Sequence, residues 1–176
     1  MRKILSGTFV LLLNLFMTGC APVFSSQACH HAATAPTIDN QTLIKFAALH
    51  IKLLPRGNAL VVVLPVDYFF KQTASPALIP DKYPNLDQLV SLLKEYGPAK
   101  IKVAGYSDNV GNRIHNQLSS EQQARAVVTY LWVKGIPADQ LYAVGYGDSS
   151  SVADNATPEG STANRRVEIT VKASCV

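Results

Sequence analysis

The stretch GYSDNVGNRIHNQLSSEQQARAVVTYL, Gly105 to Leu131, decides the fold. It begins as a small polar turn and becomes periodic. Ala124, Val127, Val128 and Leu131 recur at i, i+3, i+4 and i+7, the spacing that puts apolar side chains on one face of a helix. The spacing predicts a helix from about Ser120 to Lys134, stopped by Gly135. Just upstream, Ile101-Lys102-Val103-Ala104 reads as a short strand. Asp108 therefore stands alone at a strand-to-helix turn. An acid there either satisfies nearby backbone N–H groups or receives a ligand cation. The first arginine on the predicted helix is Arg125.

Working outward, the same alternation of elements continues. Ala59 to Leu64 is a β-branched apolar run, read as a central strand. Gln41 to Leu54 stays ambiguous: Leu43, Ile44, Ala47 and Ala48 suit a helical face, while residues 50–53 alternate like a strand. Pro55-Arg56-Gly57-Asn58 is turn chemistry and predicts a hairpin. Pro65 to Lys82 reads as loop. A helix is expected after Pro84 with Asn85 as its N-cap; Leu86, Leu89, Val90 and Leu93 form its face and Gly97-Pro98 stops it. Leu141 to Tyr146 is a strand, Gly147 to Ala163 a polar loop, and Val167 to Val171 a last strand. This order implies an α/β sandwich: a βαβαβ core with a mixed sheet and two helices on one face, preceded by a hairpin strand.

The N-terminus carries a different signal. Arg2-Lys3 precede a mostly apolar run, Ile4 to Phe16, of signal-peptide length and short for a membrane span. The run ends in Met17-Thr18-Gly19-Cys20, which resembles the bacterial lipobox. The resemblance implies a signal peptide over residues 1–19, cleavage before Cys20 and acylation of Cys20. Several acyl chains on one residue give stable anchoring where one is marginal. Ala21 follows, where lipoproteins kept in the inner membrane carry Asp, so the resemblance implies outer-membrane anchoring with the domain in the periplasm. Residues 20–40 are rich in Ala, Ser, Thr and Pro and read as a tether reaching roughly 25 Å on average; the domain proper is expected over residues 41–176.

Several functions are excluded. The formal charge is +4, or +2 without Arg2 and Lys3, and it is unclustered along the chain, which does not read as a nucleic-acid surface. There is no G-x-S-x-G, no H-E-x-x-H and no P-loop, and His115 near Asp108 makes no catalytic set, so no enzyme is expected. No cofactor is implied. Cys29-His30-His31 lacks further ligands at metal spacing. With Cys20 acylated, Cys29 and Cys175 remain; they either pair in the oxidising periplasm or stay free, and sequence leaves both open.

From Leu60 to Val171 the chain resembles the OmpA-like peptidoglycan-associating domains. The resemblance is carried by Gly105-Tyr106-Ser107-Asp108, Gly111, Asn116, Ala124, Gly145-Tyr146-Gly147 and Asn164-Arg165-Arg166-Val167-Glu168-Ile169, with Leu64-Pro65 and Phe69-Phe70 upstream. In that family an Asp and an Arg clamp diaminopimelate in the peptidoglycan stem peptide: the acid takes the ammonium and the guanidinium takes the carboxylate in a bidentate, charge-assisted pair. Helix N-terminal N–H groups also favour the anion.

Asp108 falls on the acid position. Ungapped, the arginine position falls on Gln123. A two-residue gap would bring in Arg125, but it breaks the helical period, and Arg125 lies about 200° from Gln123 around the helix. Arg125 is therefore read as a solvated face residue. Gln123 offers one neutral hydrogen bond, a loss of ~1–2 kcal/mol and roughly tenfold in affinity. Arg165 or Arg113 are candidates to compensate, although Arg165-Arg166 also reads as a salt-bridged strand start. The resemblance thus implies non-covalent peptidoglycan binding by an outer-membrane lipoprotein. The general layout also resembles the OmpA-like lipoproteins of type IVB secretion systems, which implies an alternative: a docking subunit contacting other envelope proteins, with weak or lost wall binding.

Overall fold

The computed structural model describes residues 37–73 and 75–173. Cys20, Cys29 and Cys175 lie outside the described residues, and with them the acylation and disulfide expectations.

The ambiguous N-terminal segment divides into two elements. Helix α1 (Asn40–Ala48) is capped by Asp39, whose carboxylate accepts from the Thr42 N–H at 2.8 Å. The chain turns at His50, in the left-handed region at φ 59°, and enters strand β1 (Lys52–Arg56). A tight turn at Gly57 leads into β2 (Ala59–Pro65). The short helix α2 (Val66–Phe69) and a 3₁₀ turn (Pro80–Lys82) precede α3 (Tyr83–Lys94). Then follow β3 (Ala99–Tyr106), α4 (Arg113–Val133), β4 (Leu141–Gly145), α5 (Pro158–Asn164) and β5 (Arg166–Ala173).

The strands form one mixed sheet in the order β1-β2-β5-β3-β4. β3 and β4 run parallel; the other neighbours are antiparallel. Alternation decides the faces. Leu60, Val62, Leu64, Val167, Ile169, Val171, Ile101 and Val103 all point to one side and are buried. Leu89 and Leu93 of α3, Val127 and Leu131 of α4, and Phe46 of α1 close over them as one core. The opposite sheet face is covered only at one end, where Ala104, Tyr106 and Arg166 are buried and Arg166 donates to the Ser150 carbonyl at 3.1 Å.

Two glycines set how closely α4 lies on the sheet. A Cβ at Gly105 would sit 1.9 Å from the Ser120 carbonyl oxygen, and one at Gly145 would sit 2.6 Å from the Glu121 nitrogen. Helix backbone thus rests directly on β3 and β4, and only glycine permits that approach.

The architecture follows the expected order, with local differences. Helix α4 begins at Arg113 rather than near Ser120. Asn112 caps it, accepting from the Ile114 N–H at 2.7 Å, and its first two turns expose Ile114 and Leu118, so no apolar period marks them. Helix α3 begins at Tyr83, and Asn85 is not its cap: its side chain instead donates to the Leu49 carbonyl at 3.1 Å, tying α3 to the end of α1. The segment read as a polar loop holds α5, started by Thr157, whose hydroxyl accepts from the Gly160 N–H. Helix α1 adds a third helix on the core side of the sheet through Phe46.

Candidate functional site

Asp108 lies two residues past β3, at the mouth of the turn into α4. It is 8% exposed. Its Oδ1 accepts from the Val110 N–H at 3.2 Å, and its backbone carbonyl accepts from Asn116 Nδ2 at 3.3 Å. Asn116 is itself buried on the inner side of α4. The turn acid is therefore gripped by the helix it precedes. Ser120 fixes the neighbouring turn: fully buried, it accepts from the Gly147 N–H at 3.0 Å and donates to the Gln117 carbonyl. Gln117 Nε2 donates to the Gly145 carbonyl at 2.6 Å. The Gly145-Tyr146-Gly147 turn and the Asp108 turn are thus pinned to the same helix end.

Arg165, between α5 and β5, reaches the same place. Its Nη1 donates to Asp108 Oδ2 at 2.6 Å. Its other edge forks onto Asp67, Nε to Oδ1 at 3.0 Å and Nη2 to Oδ2 at 2.6 Å, and Nη2 also donates to Thr162. Hydrogen bonding to Asp67 first, and to Asp108 next, pushes the guanidinium pKa further up against the opposing effect of burial. One guanidinium between two carboxylates leaves the cluster with one net negative charge. Gln72 adds a weak bond to Asp67 at 3.4 Å.

The adjacent residues divide their labour. Buried Asn164 holds the preceding loop: its Oδ1 accepts from the Val152 and Ala153 N–H groups, and its Nδ2 donates to Ala153 and Asn155. Arg166 turns to the other side of the sheet, where it pairs with Glu168 at 2.8 Å and lies 3.9 Å over the Tyr106 ring. Both arginines therefore make the ion pairs of a salt-bridged strand start, and Arg165 does so at Asp108.

Gln123 is placed differently. It is half-buried on α4, and its carboxamide oxygen is sealed from solvent with no hydrogen-bond partner among the described residues. It bonds neither Asp108 nor Arg165. Arg125 points outward, its side chain 68% exposed and paired with Glu121 at 2.6 Å. Arg113 is exposed. Sequence reasoning missed Asp67, which sits in a segment read as loop and is 98 positions from Arg165; an acid directly after a central strand was its one available signal. Among the described residues no His, Cys, Asp or Glu cluster could hold a metal ion, and no helix is long and apolar enough to cross a membrane.

A strand-end acid is thus held by a helix start and by an arginine just ahead of the last strand, on a five-stranded mixed sheet. The OmpA family matches residues 69–165, and the chain belongs to that family. It is 41% identical over 95 residues to the peptidoglycan-binding protein ArfA of Mycobacterium tuberculosis, covering 54% of this chain and 29% of that protein. It is 31% identical over 127 residues to the probable lipoprotein YiaD of Escherichia coli, covering 72% of this chain and 58% of that protein. Its fold matches the cell wall anchor of the type VI secretion system of Pseudomonas aeruginosa with TM-score 0.66 and 28% identity, over 75% of this chain and 97% of that one. The chain spans between 17% and 58% of the length of the curated relatives it matches.

Proposed function

We propose that this chain is an outer-membrane lipoprotein, anchored through acylated Cys20, whose periplasmic domain binds diaminopimelate-type peptidoglycan non-covalently through the stem peptide. It acts by binding and catalyses no reaction. The observation that carries this reading is the Asp67–Arg165–Asp108 cluster at the start of α4, with its net negative charge. A free ammonium is drawn to such a site, and Asp108 is already oriented by Val110 and Asn116 to receive it. The second Nη1 proton of Arg165, which makes no bond among the described residues, offers the carboxylate of the same amino acid head a charged donor. That donor partly replaces the fork that neutral Gln123 cannot make. Binding by ArfA, and the wall-anchor role of the Pseudomonas protein, support the same reading.

The test is calorimetric titration of a diaminopimelate-containing muropeptide into the chain from Ala21 onward, which holds the whole described core. Saturable binding that weakens with salt and disappears in Asp108→Ala is expected. No heat with the native ligand, together with no retention on purified sacculi, would overturn wall binding and favour docking to other envelope proteins. Loss of lipid labelling in Cys20→Ser checks the anchor separately.

A further inference from the structure

All twelve acids and fourteen of the sixteen Lys and Arg lie within residues 37–173, Arg2 and Lys3 being the exceptions, so the net charge there is +2. The fold distributes it unevenly. The strand positions on the open sheet face carry Lys52, Arg56, Lys100, Lys102, Arg166 and Lys172 against Glu168 alone, a net +5, while everything else carries eight cations and eleven acids, a net −3. Glu159 of α5 borders the face at one corner.

Glu168 is already held by Arg166. The other five cations make no ion pair among the described residues; Lys100 donates only to the Asp139 carbonyl, at 3.1 Å. Cross-strand register makes the arrangement costly. Lys172 stands directly opposite Lys100, and Ala59 separates it from Arg56 in the same row. Like charges facing each other across strands are destabilising. Lysines that block edge-to-edge sheet pairing would account for Lys52 and Arg56 on the edge strand β1. They do not account for Lys100, Lys102 and Lys172 on the inner strands β3 and β5.

We infer that this open face docks on an anionic phospholipid surface. The cations do not converge on a point. They spread from β1 to β3, about 15 Å across three strand spacings, a pattern for many phosphates rather than one. Leu54 and Val61 share a cross-strand row with Lys102, and Val63 shares one with Lys52; Tyr142 projects 52% exposed beside Lys102, an amphipathic ring of the kind that settles at a membrane interface. The tether read between Cys20 and Asn40 keeps a leaflet within reach. That availability rests on the proposed anchor; the lipid affinity itself does not.

Unacylated chain from Ala21 onward is sedimented with vesicles of phosphatidylcholine alone and with vesicles containing 30 mol% phosphatidylglycerol. Binding to the anionic vesicles, falling with salt, is expected. Each basic residue near such a surface is worth about 1 kcal/mol, or roughly fivefold in partition, so Lys100→Gln/Lys102→Gln/Lys172→Gln loses roughly a hundredfold. A charge-matched variant on the other side, Lys45→Gln/Lys82→Gln/Lys94→Gln, should bind like the parent, and both should melt cooperatively. Equal loss in the two triple variants, or no binding by the parent at low salt, overturns the proposal. So does retention on purified sacculi that depends on the same three open-face lysines. The open-face variant is expected to keep muropeptide binding, which separates failure of this inference from failure of the wall-binding reading.

Discussion

The two positions of the expected clamp differ in how their polar atoms are satisfied. At Asp108 both carboxylate oxygens and the backbone carbonyl have partners, drawn from the turn, from α4 and from Arg165 just ahead of β5. At Gln123 the carboxamide oxygen is sealed away with none. One position is held in place before any ligand arrives. The other carries a polar group that its surroundings do not use. Buried acceptors without donors cost about 1–3 kcal/mol, so the contrast concerns stability as well as binding, and the two can be separated by mutation.

The largest effect should come from removing what both positions share. Gly105→Ala puts a methyl 1.9 Å from the Ser120 carbonyl, so α4 must lift from β3. Close-packed interiors do not absorb such a shift, and a loss of about 3 kcal/mol or more is expected in chemical denaturation. Muropeptide binding should vanish with it, because the Asp108 turn and Gln123 both ride on α4. A variant melting like the parent would break the claim that helix-to-strand contact positions the site.

Asp108→Ala comes next, and it acts on the first position alone. It strips the Val110 N–H and Arg165 Nη1 of their acceptor, while Asp67 still holds the other edge of Arg165. A destabilisation of about 1–2 kcal/mol and loss of detectable muropeptide heat are expected. Retained binding would move the ammonium site to Asp67.

The fold was legible because its signals are local and repeated: period-two strands, a period-3.6 helix, and glycines where backbones meet. The start of α4 was not, because Ile114 and Leu118 face solvent and the first two turns are held by the Asn112 cap and by the polar residues Asn116 and Ser120. Helix α5 is short and polar, with Gly160 inside it, so no periodicity announces it. At the site, Asp108 could be read from its turn. Its pairing with Arg165 spans 57 positions, and that of Arg165 with Asp67 spans 98. Such contacts arise only when β5 inserts between β2 and β3, and nothing local encodes them. The basic sheet face escaped for the same reason: its cations are scattered from Lys52 to Lys172 until the strands align.

Gln123 allows the second position to be pushed in two directions. Gln123→Leu removes the orphaned oxygen at similar volume and should raise stability by about 1 kcal/mol, leaving the ammonium pole intact. Gln123→Arg should instead strengthen muropeptide binding by roughly tenfold, by restoring a charge-assisted donor. If Leu destabilises and Arg leaves affinity unchanged, Gln123 is a satisfied packing residue and the position has no part in recognition.

The smallest effect is expected at Arg125, and it tests the register on which the comparison stands. Arg125 pairs with Glu121 one turn away, on the exposed side of α4. Exposed pairs of this spacing contribute about 0.3–0.5 kcal/mol. Arg125→Ala should therefore shift stability by less than about 0.5 kcal/mol and leave the muropeptide titration unchanged. A tenfold loss of affinity would mean that the guanidinium swings round the helix to the ligand. The clamp would then be relocated rather than reduced, and the unpartnered oxygen of Gln123 would mark the place it left.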